Sequence, residues 1–352
     1  MPMRHTVITL LALTALAAPT SSAHAQSLPD RIRTVVHDRV ETLRTVSYQQ
    51  GREEQIDRQT KTVRIGTDGE LTLSNIAGDI VVTRANGGDV TIQIVKTARA
   101  RTIEDARELL GLVTVSITER SGRADVKTVY PHRDEMRRNN RRNVNVTVAY
   151  TVSAPAGTRL TIGSVSGSIK VSEIKGDLSA NSISGAVRIA NAGRIAAAKS
   201  ISGDVEIFDT QTDGAVDVQS ISGSVLLRNV TARSLDVGSI SGSVVVQDMQ
   251  CDRVKAHSIS GSVEFGGALA KGGRYELNSH SGDVRIALSG ATGFEVEANS
   301  FSGSVRSDLA LVLQAERGRE HSGRRAVRGV FGDGSAVLNV TTFSGSVVIT
   351  KR

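Results

Sequence analysis

The sequence predicts an all-β fold, an elongated single-stranded β-solenoid whose coils take about 18–21 residues and carry two short strands each. The first observation behind this is a phrase written nine times, from SVSGSIKV at Ser164 through SISGSVVV at Ser239 to FSGSVVI at Phe343. Its glycines are Gly167, Gly185, Gly203, Gly223, Gly242, Gly261, Gly282, Gly303 and Gly345, with gaps of 18, 18, 20, 19, 19, 21, 21 and 42 residues. The second is phase. Apolar residues hold the position two before each glycine (Val165, Ile183, Ile201, Ile221, Ile240, Ile259, Phe301, Phe343, with His280 in the series) and the positions two and four after it, Ser307 excepted. Alternation with period two means strand, and these rows are expected inside, continued from coil to coil as one narrow core. The third is composition: 34 glycines, no Trp, 3% aromatic residues and an apolar share of 39% carried by Val, Ile, Leu and Ala, which suits thin β layers with tight corners.

Residues 1–25 read as an export signal peptide. Arg4 and His5 precede the apolar run VITLLALTALAA, and Ala23 and Ala25 supply small residues for cleavage. The run is too short for an anchor, and no second long apolar segment follows. The expectation is an exported protein, periplasmic or extracellular, without a transmembrane anchor. Residues 26–60 form a charged, weakly patterned lead-in with room for a short helix.

Residues 61–157 read as a divergent N-terminal β region. Leu71/Leu73, Ile80/Val82 and Val90/Ile92 alternate, with turns at Ala77-Gly78-Asp79 and Asn86-Gly87-Gly88-Asp89. TIEDARELL opens a short helix capped by Thr102. Strands resume at LVTVSITE and VNVTVAYTVSAP, separated by a basic loop holding Arg133, Arg137, Arg138, Arg141 and Arg142, read as a hairpin connection. Residues 158–350 form the repetitive solenoid. A second alternating pair precedes most phrases, as in Leu178/Ala180, Val216/Val218 and Leu235/Val237; Ile195 breaks this phase by one residue. The serines just before the glycines, such as Ser202, Ser222, Ser241 and Ser260, are expected to align in a ladder along one corner. The glycines mark a bend where a Cβ would crowd the turn or forbid the required φ. An Arg-rich insertion at about 315–334, with Arg317, Arg319, Arg324, Arg325 and Arg328, fills the 42-residue gap in place of a missing phrase. At about 4.8 Å per step, roughly ten coils span about 48 Å.

Catalytic patterns are absent. The seven histidines include two in the leader, and the remaining five, His37, His132, His257, His280 and His321, are scattered without metal-site spacing. There is no G-x-S-x-G elbow, no P-loop and no dinucleotide fingerprint. No cofactor or metal is expected. Cys251 stands alone, so no intrachain disulfide supports the fold, and a buried, inert thiol is expected. The net charge is +7, or +6 once Arg4 is removed, which outside the cytoplasm points to anionic surfaces rather than nucleic acid. The two arginine clusters are the candidate anion-binding residues, because guanidinium grips phosphate or carboxylate through paired donors. Were both on one side of the solenoid, they would form one electropositive patch.

Three segments carry a family resemblance: GELTLSNIAGDIVV at 69–82, YTVSAPAGTRLTIGSVSGSIKV at 150–171 and AVLNVTTFSGSVVI at 336–349. Together they resemble the bacterial "putative adhesin" family of unknown function, DUF4097, over roughly residues 60 to 350. The resemblance implies a single-stranded β-solenoid, often exported or membrane-tethered, and it supplies no catalytic residues to transfer. The functional expectation is a non-enzymatic envelope or extracellular protein, an adhesin-like binding or assembly scaffold. Its partner would be an anionic envelope glycolipid or polysaccharide, or another envelope protein. The rival is a polysaccharide-active enzyme on a parallel β-helix, which would need acidic side chains such as Glu206 or Glu264 converging on the outward face that also carries Lys170, Arg188, Leu226, Val245, Arg285 and Arg306.

Overall fold

A strand with one apolar face is stable only where that face is covered, and through the middle of the stack each strand is continued, edge to edge, by the one about twenty residues later while a second row faces it. Ile169 pairs with Val187, Val187 with Val205, Val205 with Val225, Val225 with Val244, Val244 with Val263 and Val263 with Val284, all in parallel register. The row two residues further on, from Val171 through Ile207 and Val246 to Ile286, steps in the same way, and both rows are buried. A second parallel row faces them: Leu178, Ile195, Val216, Leu235, Val254, Tyr275, Leu338 and Val296, also buried. The chain is therefore all-β and solenoid-like, with one helix among the described residues. The computed structural model describes residues 53–131, 144–313 and 325–352, beginning the last segment with the backbone of Arg325.

Ile195 keeps its place in the core through a bulge. Leu178 pairs with Ile195 but Ser179 pairs with Ala197, so Ala196 is extra and exposed. Two coils depart from separate short strands: Val225–Ser239 and Val244–Ser258 each run as one 15-residue strand through a corner.

The order of coils differs from the order of sequence at both ends. The 42-residue gap hides no lost phrase. Strand Ala336–Thr342 lies between Arg274–Ser279 and Phe294–Ser300, and Val347–Lys351 lies between Val284–Ser289 and Val305–Ser307. The last coil in sequence is thus the second to last in space. Part of the expected insertion, Arg325–Phe331, pairs antiparallel with the outer edge of Phe294–Ser300 and covers it. The N-terminal end is built likewise. Strands Arg123–Val129 and Val146–Pro155 stack outside Glu70–Ala77 and Ile80–Ala85, which stack on Arg159–Ser166 and Ile169–Ser172. The strands on either side of the basic segment pair with other strands rather than with each other, so they are two sides of a coil and not a hairpin. Antiparallel strands Thr114–Arg120, Asp89–Ala100 and Glu53–Arg64 close this end, which blunts the exposed edge. Residues 53–60, assigned to the charged lead-in, belong to that closing strand. Helix Ile103–Leu112 forms where the capping pattern placed it, with Thr102 Oγ1 accepting from the Asp105 N–H at 3.1 Å, and it packs on Glu53–Arg64 and Asp89–Ala100.

The repeated corner has a specific chemistry. The serine three before each glycine, not the one before it, is buried. Ser220 Oγ accepts from the Gly223 N–H at 3.0 Å and donates to the Gly203 carbonyl, one coil back, at 3.0 Å. Ser200, Ser239, Ser258 and Ser279 do the same, and Thr342 and Ser300 carry the pattern through the reordered coils. Ser202, Ser222, Ser241 and Ser260, expected to form the ladder, are exposed. Close approach of the coils explains the glycines: a Cβ on Gly223 would collide with the Gly203 carbonyl oxygen, and one on Gly242 with that of Gly223. A second corner lies six residues after the glycine, where Glu173, Asn191, Asp209, Asn229 and Asp248 all take φ between 48° and 61°. Asn and Asp tolerate this left-handed region better than most residues, and Asn229 donates to Asp209 across the coils at 2.7 Å.

Candidate functional site: an exposed apolar ladder

The row two before the glycine, expected in the core, faces outward. Between the buried serine and the glycine the chain turns the corner, and the side chain there projects from the stack. Ile76, Val165, Ile183, Ile201, Ile221, Ile240 and Ile259 follow one another at successive coils, then His280, Phe343 and Phe301. Val129, two residues beyond the Lys127–Ser74 pair, precedes Ile76. The apolar members are 41–48% exposed, each half covered by its neighbours above and below. The far end is a stack of three rings: His280 and Phe343 are 5.0 Å apart at 8°, and Phe343 and Phe301 are 4.7 Å apart at 5°.

Eleven rungs at about 4.8 Å make a stripe of roughly 48 Å. Full burial of an aliphatic side chain corresponds to about 120 Å² at 25 cal/mol/Å², so ten apolar rungs, nearly half exposed, present roughly 500 Å². That lies toward the upper end of the largest patch on an ordinary monomer, where such patches mark interaction sites. The stripe also has no backbone to offer. Ser202 N–H donates to Ile183 O at 2.8 Å, Ser222 N–H to Ile201 O at 2.8 Å, and Ser260 N–H to Ile240 O at 2.8 Å. Contact with this surface is through side chains.

Beside the N-terminal rungs runs a groove of about 680 Å³, walled on one side by the ladder from Ile76 to Ile240 and on the other by Lys127, Asn181, Lys199 and Gln219. Ser182, Ser200 and Ser220 form part of its floor with their hydroxyls already bonded in the corner network.

Arg133, Arg137, Arg138, Arg141, Arg142, Arg317, Arg319 and Arg324 lie outside the described residues, as does the side chain of Arg325. Arg328 pairs with Glu297 on the adjacent antiparallel strand at 2.9 Å. The residues flanking the two basic segments sit at opposite ends of the stack: Pro131 and Val144 at the first coil, Leu313 and Arg325 at the last. Their attachment points are therefore about ten coil steps apart rather than side by side. On the outward face, Glu206 is held by Arg188 at 2.6 Å and Glu264 by Arg285 at 3.1 Å. Among the described residues no group of three His, Cys, Asp or Glu side chains is placed to hold a metal ion, and no helix is long and apolar enough to cross a membrane. Cys251 is buried, and desolvation pushes its thiol up to about 11, against a smaller lowering by a backbone hydrogen bond from Ala232.

The outward row was legible in principle. The apolar phase of the preceding strand, at Val216 and Val218, continues through Ser220 and not through Ile221. Following that phase through the corner assigns serine inside and isoleucine outside.

A β-solenoid with a serine–glycine corner and an outward apolar ladder defines a class of repeat protein built around a long continuous surface. The family model described as Toastrack DUF4097 matches residues 159–350, more than half of the chain, and the chain belongs to that family. None of the curated proteins matches it. It is similar to a "putative adhesin" from Parabacteroides merdae ATCC 43184, at 10% identity and a TM-score of 0.43, covering 84% of this chain and 96% of that one. It is also similar to a "putative adhesin" from Bacteroides fragilis NCTC 9343, at 13% identity and a TM-score of 0.41, covering 84% and 97%. A "putative lipid binding protein" from Parabacteroides distasonis ATCC 8503 matches with 13% identity, a TM-score of 0.41 and coverage of 84% and 97%. At such identities and scores these likenesses assign no activity or ligand to this chain.

Proposed function

We propose that this is a non-enzymatic protein exported to the periplasm or cell exterior, where its solenoid serves as an adhesin-like binding or assembly scaffold. The observation that carries this reading is the continuous outward row of Val, Ile and Phe side chains along the coils. A folded chain in water keeps such a row uncovered only against a cost that a partner relieves. In this reading the unit is a coil of 18 to 21 residues with a strand on each side of the serine–glycine corner, supported by the register steps from Ile169 to Val284. Repetition then lengthens one surface rather than multiplying a reaction centre. The engagement of Glu206 and Glu264 by arginines supports a scaffold over a polysaccharide-active enzyme.

The partner is an anionic envelope glycolipid, met by the ladder and by the basic segments attached at the two ends. Titration of the purified protein against anionic glycolipid vesicles at about 0.1 M and about 1 M salt tests this, because the screening length falls from about 10 Å to about 3 Å. Binding is expected to weaken with salt, and to weaken also when Arg137, Arg138, Arg141 and Arg142 are changed to serine or when Ile183 and Ile221 are changed to threonine. Vesicles left unbound by the unaltered protein overturn the reading.

A further inference from the structure

Resting on that binding-surface reading, we propose that the groove beside the N-terminal half of the ladder takes one extended acyl chain of an anionic amphiphile, with the acidic head at the Lys127 end. From Ile76 to Ile240 the groove covers five coil steps, about 24 Å. An extended hydrocarbon chain advances about 1.25 Å per carbon, from a single bond near 1.5 Å at tetrahedral angles. About twenty carbons therefore span it, and a chain of sixteen to eighteen lies within it. Its volume of about 680 Å³ lies within the range of small-molecule sites.

Three features choose an acyl chain over a peptide. A peptide brings backbone N–H and C=O groups that need partners when covered. The groove supplies few. The corner carbonyls of Ile183 and Ile201 already accept from the next coil, and the floor hydroxyls of Ser182, Ser200 and Ser220 are engaged. A helix, about 10–12 Å across with its side chains, meets a 4.8 Å ladder with a 5.4 Å pitch and falls out of step over five rungs. A hydrocarbon chain needs neither partners nor a matching period.

The two ends of the groove differ. At the C-terminal end the lining ends at Ile240, and beside it His257 lies over Gly238, where even a Cβ would collide with its imidazole. At the N-terminal end Lys127 is exposed and makes no ion pair among the described residues, whereas Lys199, midway, is paired with Asp217 at 2.5 Å. Near that open end the Ser164 hydroxyl, on a side chain 5% exposed, is the one floor serine with no hydrogen-bond partner. A carboxylate or phosphate there would receive a proton donor from the hydroxyl and a full positive charge from the lysine.

The test is displacement of a fluorescent 18-carbon fatty acid from the purified protein by decanoate, dodecanoate and hexadecanoate. Affinity is expected to rise about twofold to fourfold per added methylene and to level off near twenty carbons. Ile201→Asp, an exposed corner position, should keep the far-ultraviolet spectrum and lose at least tenfold in hexadecanoate affinity; Ile201→Ser gives a milder version of the same loss. Ile259→Asp, beyond His257, should leave binding unchanged. Lys127→Glu should weaken hexadecanoate severalfold and hexadecanol little. The proposal is overturned by affinity that ignores chain length, by Ile259→Asp acting as strongly as Ile201→Asp, or by Ile201→Asp dissociating an oligomer without touching hexadecanoate binding. If hexadecanoate fails to bind while anionic glycolipid vesicles still do, the acyl groove is wrong and the broader binding-surface reading stands; if neither binds, both fail.

Discussion

Ser300 Oγ donates to the Gly345 carbonyl at 2.8 Å although 45 residues separate them, and Thr342 Oγ1 donates to Gly282 across 60 residues at 2.9 Å. The same hydrogen bond elsewhere links residues 15 to 18 apart, as in Ser200 to Gly185 and Ser279 to Gly261. The corner chemistry is thus satisfied by whichever coil lies next in space, and the chain's end is threaded between two earlier coils.

That threading predicts the effect of truncation. Ending the chain after Phe331 removes an interior coil, uncovering both Val284–Ser289 and Val305–Ser307. Denaturant unfolding should show lost cooperativity or an unfolded C-terminal portion, rather than the mild loss expected from trimming a terminal repeat.

The buried and exposed serines of each phrase should separate cleanly by substitution. Ser220→Ala leaves the Gly223 N–H and the Gly203 carbonyl without their side-chain partner and should cost about 1–3 kcal/mol. Ser222→Ala, on the exposed neighbour, should stay within about 0.5 kcal/mol. Ser220→Thr should retain most of the stability, since Thr342 already fills the same role. Chemical denaturation of the three variants decides the matter.

Core and ladder positions should respond in opposite ways to a polar change. Val244→Asp buries an unpaired carboxylate between coils and should cost more than about 4 kcal/mol. Ile221→Thr, at an outward rung, should change stability by less than about 1 kcal/mol while reducing the binding of an apolar dye. Equal destabilisation by the two would place the rungs in the core after all.

Cys251 should resist alkylation in the folded protein at pH 8 and react on unfolding. Its thiol is buried, and desolvation raises its folded pKa from the ordinary 9.0 to about 11. A raised value means its contribution to stability is complete below about pH 9 and declines as pH climbs toward 11. Cys251→Ala should remove that part of the alkaline loss, read as the difference between the two denaturation profiles.

Glu206→Gln and Glu264→Gln, singly and together, should not create or abolish any release of sugar from envelope polysaccharides, since each carboxylate is occupied by a neighbouring arginine. Depolymerisation by the unaltered protein that disappears in either variant would reinstate the enzyme reading.

By itself the sequence determined the strand phase, the glycine spacing and hence the parallel stack: alternation and repetition are local properties, and the rows at Val187, Val205 and Val225 follow from them. It also carried the Thr102 cap and the buried Cys251. What only the tertiary structure decided are facts about neighbours. The strand phase already turns Ile183 and Ile201 outward, but where the inward parity then shifts, between Ser200 and Val205, depends on how the chain rounds the corner. The place of the last coil depends on which edge Ala336–Thr342 meets, and the phrase that every coil shares cannot specify that edge. The groove arises only where side chains from seven coils line up, and its lining ends at Ile240, beside the place where His257 lies over Gly238. Local pattern sets what each coil buries, whereas packing of coil on coil sets what the stack leaves open.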